Sequence, residues 1–262
     1  MHIKVRDVSP VALFLFAHQD DEFGVFHVID ACRRRGQRVV CAYLTRGSNG
    51  SASRRNAESR RVLGYLGVDT QDILFAGDEL GIDDTMLYKS LERADAWIEQ
   101  WFASFEHIER IHVLAWEGGH NDHDALHALA AQVADRLNLL PRLHQFSLYN
   151  GYRCPGPFFK VLTPLTANGP IESFRIPLLR RLAYLRLCLQ YPSQRMTWVG
   201  LFPFVVLHYL TSGRQTLQAV ALDRIEERPY AGTLYYEKRN FCRWEELQEH
   251  LHKWRNWSGT GR

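Results

Sequence analysis

The strongest constraint on this chain lies near its start. Residues Val11 to Ala17 form an unbroken apolar run that ends on His18, Asp20, Asp21 and Glu22. A short, uninterrupted, aromatic-rich run is the pattern of a strand buried on both faces. Gly24, followed by Val25, Val28, Ile29 and Cys32, predicts a helix soon after. The polar cluster then sits at the carboxyl end of a central strand, where open α/β sheets place their ligands. One histidine and three carboxylates within five positions would repel and dehydrate one another in a bare core. A bound divalent metal answers that need most simply.

The same rhythm continues. Gln37–Leu44 reads as a second strand, joined to the first by a helix within 24–35, which makes the two strands parallel. Thr45, Arg46, Gly47, Ser48, Asn49 and Gly50 form a small polar loop that can approach a ligand closely. It is no dinucleotide fingerprint, because it has the wrong spacing and follows the second strand. Residues 52–66 read as a helix on which Arg55 and Glu58 share a face. That pair is either a surface ion pair or places Arg55 at the mouth of a site. A short strand at 71–76 precedes a polar loop at 77–84, and an amphipathic helix spans 88–104. The strand 111–115 runs into Trp116, Glu117, Gly118, Gly119, His120, Asn121, Asp122 and His123; a helix over 123–136 and a strand over 143–149 follow.

Strands and helices thus alternate through about residue 150, which predicts an α/β, Rossmann-like, open and mostly parallel sheet with helices on both faces. On this reading residues 1–150 are the metal-binding catalytic core. Residues 151–262 are an irregular C-terminal extension packed on the same domain as the substrate-pocket wall. Within the extension, prolines 155, 157, 164 and 170 mark a loop-rich rim. Helices are expected over 176–191, 213–225 and 244–257, and a strand over 233–237. Arg195 and Arg214 bracket 18 uncharged residues. Pro203 and His208 interrupt that stretch, and its length is marginal for a span, so it reads as a buried segment with membrane-surface contact as the second choice.

Bulk properties narrow the function. With 32 basic and 29 acidic residues in 262, the balance gives no argument for nucleic acid. The cysteines at 32, 41, 154, 188 and 242 form no close-spaced metal pair and read as reduced core residues. The N-terminus does not read as a signal peptide, so a cytoplasmic enzyme is the default.

The chemistry gathers in two clusters, His18 to Glu22 and His120 to His123, each directly after a strand. Parallel strands would bring both to one edge of the sheet. Three protein ligands with an open position is the catalytic pattern for zinc. Local reach selects His18 and Asp21 from the first cluster, with one histidine from the second. His123, where the turn enters its helix, is a plausible choice. Asp20 and His120 are then left for proton transfer.

Ala17-His18-Gln19-Asp20-Asp21-Glu22 together with His120-Asn121-Asp122-His123 resembles the paired signature of the PIG-L/LmbE-like metal-dependent N-deacetylases. Thr45, Gly47 and Gly50, the Arg55–Glu58 pair, Asp84, and Tyr191 with Ser193 and Gln194 fall in the family's order. The resemblance implies a zinc-dependent hydrolase, with Fe2+ as another metal option, that removes acetyl from an amino sugar or its glycoconjugate. It implies His18, Asp21 and His123 as metal ligands, Asp20 as general base and His120 as acid or electrostatic stabiliser. Arg55 and Asp84 match positions that hold the sugar. Gln19 and Asn121 stand where the family has proline, which puts the stiffness of both loops in question.

Trp116, bordering the second cluster, is a candidate pocket wall. Asp122 could orient His120 or His123, and Glu22 could orient its own loop or cap the next helix. The rival readings are a metal-dependent hydrolase of an ester, cyclic amide or phosphoryl bond, and an inactive metal-binding scaffold. Expected partners are a small-molecule or glycoconjugate substrate, no nucleic acid and no transmembrane span, with membrane-surface contact available through the apolar C-terminal part.

Overall fold

The computed structural model describes residues 10–47 and 50–260. The expectation of no leader at the N-terminus, and Ser48 and Asn49 of the polar loop, lie outside the described residues. The apolar run becomes β1 (Val11–Phe16), every residue of it buried. It is the third strand of a seven-stranded sheet ordered β3 (Ile73–Leu74), β2 (Arg38–Tyr43), β1, β4 (Ile108–Leu114), β5 (Leu143–Phe146), β9 (Arg214–Ala219), β8 (Glu172–Arg175). β2 (Arg38–Tyr43) and β4 (Ile108–Leu114) flank β1 in parallel. β3 (Ile73–Leu74) and β5 (Leu143–Phe146) extend the parallel part outward. A strand with neighbours on both sides and layers on both faces has no position for a polar side chain, which is why β1 is apolar throughout.

The helices α1 (Phe26–Arg34), α2 (Ala52–Tyr65), α3 (Ala76–Leu80), α4 (Leu91–Ala103) and α5 (Asn121–Arg136) punctuate this half. α1 closes with Arg33 and Arg34 in its last turn, where cations suit the helix dipole, and Gly36 turns the chain at φ 74°. α3 occupies part of the stretch read as a polar loop at 77–84.

Beyond residue 150 the chain rejoins the same sheet. A small ribbon pairs β6 (Tyr149–Asn150) with β7 (Lys160–Val161). β8 (Glu172–Arg175) and β9 (Arg214–Ala219) are antiparallel, and β9 is antiparallel to β5. The helix expected over 213–225 is therefore a strand. Its buried side chains include Gln215 and Gln218, whose amides donate to the carbonyls of Gly24, Leu165 and Gly169. Those partners are supplied by distant parts of the chain, so polar residues, one on each face of the strand, conceal its burial. The strand expected over 233–237 is instead the single-turn helix α8 (Tyr235–Lys238), whose Glu237 carboxylate accepts the Leu234 N–H at 2.7 Å. α6 (Leu178–Cys188), α7 (Arg195–Thr211) and α9 (Trp244–Thr260) complete the fold. α7 departs from the buried segment expected: Trp198, Leu201, Val205 and Tyr209 face inward, but Met196, Val199, Leu207 and Leu210 are exposed. No helix among the described residues is long and apolar enough to cross a membrane.

Two core histidines carry a consequence for stability. His112 in β4 stacks on Phe14 at 4.5 Å, and neither ring nitrogen has a partner. Burial pushes it down to about 3, and burial pushes His127 down to about 4. A histidine whose folded pKa is depressed keeps its stabilising effect above the unfolded value and loses it as pH falls toward the folded one. Between about pH 6.5 and 4 each contributes a slope of at most about 1.4 kcal/mol per pH unit. His112→Phe, which removes no hydrogen bond, is expected to flatten the fall of unfolding free energy across that window. Urea unfolding at a series of pH values measures it, and an unchanged slope would refute the assignment.

Candidate metal centre and cavity

The sheet order places the site. From β1 the chain works outward through β2 and β3, then crosses back to β4 on the other side of β1. A crevice opens at the carboxyl ends of two neighbouring strands where the winding reverses. His18 follows β1 and His120 follows β4, so both polar clusters enter that crevice. His18 Nδ1 and His123 Nε2 stand 3.2 Å apart across 105 residues of chain. The Asp21 carboxylate joins them, one oxygen 3.2 Å from His123 Nε2 and the other 3.5 Å from His18 Nδ1.

Each loop is held by specific bonds. Asp20 lies at φ 111°, a conformation that side chains disfavour. Glu22 stabilises it by accepting the Asp20 N–H at 2.9 Å, and Tyr191 in turn donates its hydroxyl to Glu22 at 2.9 Å. Glu22 thus orients its own loop. Gln19 donates to the Thr45 carbonyl and to Asn56 Oδ1 at 2.9 Å, and Gln194 donates to the Gln19 carbonyl. Asn121 donates to the Thr85 carbonyl at 2.9 Å. Gly119 is required by crowding: a Cβ there would sit 2.0 Å from the Tyr149 carbonyl oxygen.

The second-cluster carboxylate acts on a different ring from those expected. Asp122 accepts a 2.9 Å bond from His18 Nε2, not from His120 or His123. The Thr85 and Leu87 amides anchor the carboxylate in place. With its Nε2 proton held by Asp122, His18 presents Nδ1 as a lone pair to the crevice. His120 is oriented the opposite way. Its Nδ1 accepts the Asp122 N–H at 3.1 Å and caps α5, so its proton is on Nε2.

These tautomers decide which atoms could hold a metal. His18, His120 and His123 present ring nitrogens within 4.8 Å of one another. His120 cannot ligate through Nε2 while Nδ1 accepts a backbone N–H, because a neutral imidazole has only one lone-pair nitrogen. His18 Nδ1, His123 Nε2 and Asp21 remain. Ligands at about 2.0–2.1 Å around a tetrahedral ion stand about 3.3–3.4 Å apart, which matches their spacing. Two neutral imidazoles, one carboxylate and space for a fourth ligand suit a catalytic divalent ion.

Without a cation this cluster shares protons. Burial opposes charge on Asp21, yet His123 and His18 hold its carboxyl far below the usual range. Burial likewise opposes protonation of His18, but Asp21 and Asp122 raise it well above the ordinary value. A divalent ion would take the place of those protons, since its ligands bind deprotonated. Burial, then the Asp21 charge, pushes Asp20 well up, and Arg55 pulls it back. Burial, then His18 and His123, holds His120 well below its ordinary value.

A cavity of about 710 Å³ opens on this cluster. Arg55 stands at its mouth, bonded to Asp84 and, at 2.9 Å, to Gln194. Asp84 also accepts from the Thr45 hydroxyl at 2.9 Å. Arg55 and Glu58 do not pair with each other. Glu58 instead accepts from the Ser193 amide and hydroxyl. Trp116 is a correction: it is fully buried, donates its indole N–H to the Glu227 carbonyl at 3.0 Å and packs on Trp244, away from the cavity. The apolar end of β4 carries it into the core before the chain turns outward. The aromatic wall comes from residues that sequence reasoning missed, chiefly Tyr149, Phe159, Tyr235 and Phe241. Phe241 lies 5.0 Å from the His120 ring and Tyr149 lies 5.5 Å from His123. Tyr149 closes a predicted strand, Tyr235 falls in the stretch misread as a strand and begins α8, and Phe159 and Phe241 lie in irregular segments with no period to read.

Residues 13–134 match the family model described as PIG-L, GlcNAc-PI de-N-acetylase. No curated protein sequence matches the chain. Several solved structures share its fold. One is a deacetylase of the teicoplanin biosynthesis pathway, 15% identical with a TM-score of 0.64, covering 80% of this chain and 98% of its own. Another is Dbv21, the A40926 pseudoaglycone deacetylase, at 17% identity and TM-score 0.61, covering 86% of this chain and 100% of its own. The N,N'-diacetylchitobiose deacetylase of Pyrococcus horikoshii is 15% identical with a TM-score of 0.54, covering 85% of this chain and 88% of its own.

The tautomer argument sets a binding experiment. Calorimetric titration of stripped protein with Zn2+ is expected to give one site per chain. His18→Ala and His123→Ala should lose it, Asp122→Asn should weaken it about 10- to 100-fold, and His120→Ala should retain most of it. Loss of binding in His120→Ala equal to that in His18→Ala would overturn the ligand set.

Proposed function

Residues 13–134 match the PIG-L family model, and from that match we propose that the chain hydrolyses the N-acetyl amide of an amino sugar or its glycoconjugate. The products are acetate and a free amine. One observation carries the reading: His18, Asp21 and His123 converge on one point while Asp20 and His120 line the same cavity. Zinc suits the donor set, with Fe2+ as the alternative. Such an ion supplies a polarised carbonyl and an acidified water.

The chain's own residues do the rest. The Asp20 carboxylate takes a proton from the attacking water as general base. Its carboxyl is set apart from Asp21 by the turn at φ 111°, which Glu22 and Tyr191 hold. His120 offers its Nε2–H to the oxygen that gains charge when the carbonyl carbon becomes tetrahedral, a contact worth roughly 3 kcal/mol by comparison with other oxyanion donors. The nitrogen leaves as the amine after gaining a proton, and Asp20 already carries one from the water. Arg55 and Asp84, fixed against each other and against Gln194 and Thr45, present polar groups to a sugar at the mouth. Tyr149, Phe159, Tyr235 and Phe241 give the cavity an apolar wall able to accept an aglycone.

Asp20→Asn is expected to lower amine release from an N-acetylglucosaminide by about 10²- to 10⁴-fold while retaining most of the metal. Fluorescence derivatisation of the released amine measures turnover, and metal analysis reports the ion. Full activity in the metal-loaded variant would defeat the assignment of the base. Phosphate release from a phosphoester in place of amine release would defeat the amide reading.

A further inference from the structure

The pair α6 and α7 presents a surface that a water-exposed helix pair does not ordinarily carry. Of the large apolar side chains exposed among the described residues, ten of fifteen fall between 171 and 210. On α6, Leu178, Leu179 and Leu182 are 63%, 80% and 47% exposed. On α7, Met196, Val199, Leu207 and Leu210 are 77%, 71%, 56% and 70% exposed. The inward stripe of α7 is apolar as well, so the helix has no polar face to give to water. Exposed large apolar side chains gathered on two packed helices mark an interaction surface.

Charge says what covers it. Residues 173–222 contain no aspartate or glutamate, although 29 acidic residues are spread through the chain. Their only formal charges are arginines, of which Arg175, Arg186, Arg195 and Arg214 are exposed. Asp30, the carboxylate that meets α6 through Tyr184 and Arg180, is buried and also engaged by Arg34. A second copy of the chain docked about a two-fold axis would set these arginines against one another with no carboxylate from this stretch to meet them. Exposed apolar side chains in a stretch whose only formal charges are arginines match an anionic bilayer surface, with the leucines in the acyl boundary and guanidinium groups at the headgroups.

We infer that α6 and α7 dock this protein onto anionic membranes as a peripheral, in-plane surface. No helix among the described residues is long and apolar enough to span the bilayer. Met196 and Gly200 belong both to the exposed side of α7 and to the cavity lining, so docking sets the cavity mouth beside the membrane. The inference stands on exposure and charge alone and holds whether or not the hydrolysis proposed above is correct.

Sedimentation with vesicles tests it without any activity measurement. The full chain is expected to pellet with phosphatidylcholine vesicles containing phosphatidylglycerol at least about tenfold more tightly than with phosphatidylcholine alone, and high salt should erase most of that difference. The triple variant Leu179→Glu, Val199→Glu, Leu210→Glu should lose binding while keeping its circular-dichroism melt. Arg186→Gln with Arg195→Gln leaves the leucines in place and decides the matter if the triple variant fails to fold; it should weaken only the anionic preference. Absence of binding by the parent chain, equal binding to both vesicles, or undiminished binding by the variants would overturn the inference. So would a dimer in light scattering that the triple variant dissociates.

Discussion

The parallel pairing of β1 with β4 is the constraint on which the rest depends. It joins strands that are nearly a hundred residues apart and leaves between their carboxyl ends the one place where the winding of the sheet reverses. The residues there are the most costly in the molecule to bury: His18, Asp20, Asp21, Glu22, His120, Asp122 and His123 are all less than a tenth exposed. The apolar strands beneath fix where the loops begin. A polar cluster on so rigid a base has little freedom to relax toward water, so its charges must be balanced by one another or by an ion. The 3.2 Å approach of two imidazole nitrogens expresses that pressure.

Much of this was legible because the informative residues follow strands. An unbroken run such as Val11 to Phe16 admits few structures, and a histidine directly after it can only lie at the strand's end. The same logic placed His120 and His123. Legibility failed where a role depended on which of several neighbours a group would meet. Asp122 was expected to meet His120 or His123, but its partner is His18, on the other strand, and nothing local distinguishes the three rings. Trp116 was drawn to the cavity by its place in the sequence, whereas alternation along the end of β4 turns it into the core. Arg55 and Glu58 share a helix face, yet each finds a partner from another segment, Asp84 and Ser193.

The C-terminal part shows the other limit. Gln215 and Gln218 lie on buried positions of a strand, and a polar side chain there is compatible with the core only because distant carbonyls accept its amide protons. No periodicity reports such partners in advance. α7 gave the reverse case: eighteen uncharged residues suggested burial, but one stripe of a helix is all that the core can take. The other side was left to whatever lies outside the molecule.

The two positions where proline is usual in the family show how these halves became one mechanical unit. Proline would stiffen each loop from within, by fixing φ, whatever surrounds it. Gln19 and Asn121 stiffen the loops from outside. Gln19 ties the first loop to Thr45 and Asn56, and Asn56 is itself bound to Asp78 at 2.6 Å. Asn121 ties the second loop to Thr85. Each amide leaves its own oxygen buried without a partner, a cost of about 1–3 kcal/mol that proline would not incur. What the exchange adds is coupling. Gln194 holds the Gln19 carbonyl and Arg55 together, and Tyr191 holds Glu22. The segment leading into α7 therefore grips the first loop at the same time as it begins the cavity wall. Order at His18 and Asp21 thus depends on how the C-terminal helices seat, because the bonds that rigidify the loop end on the segment leading into them.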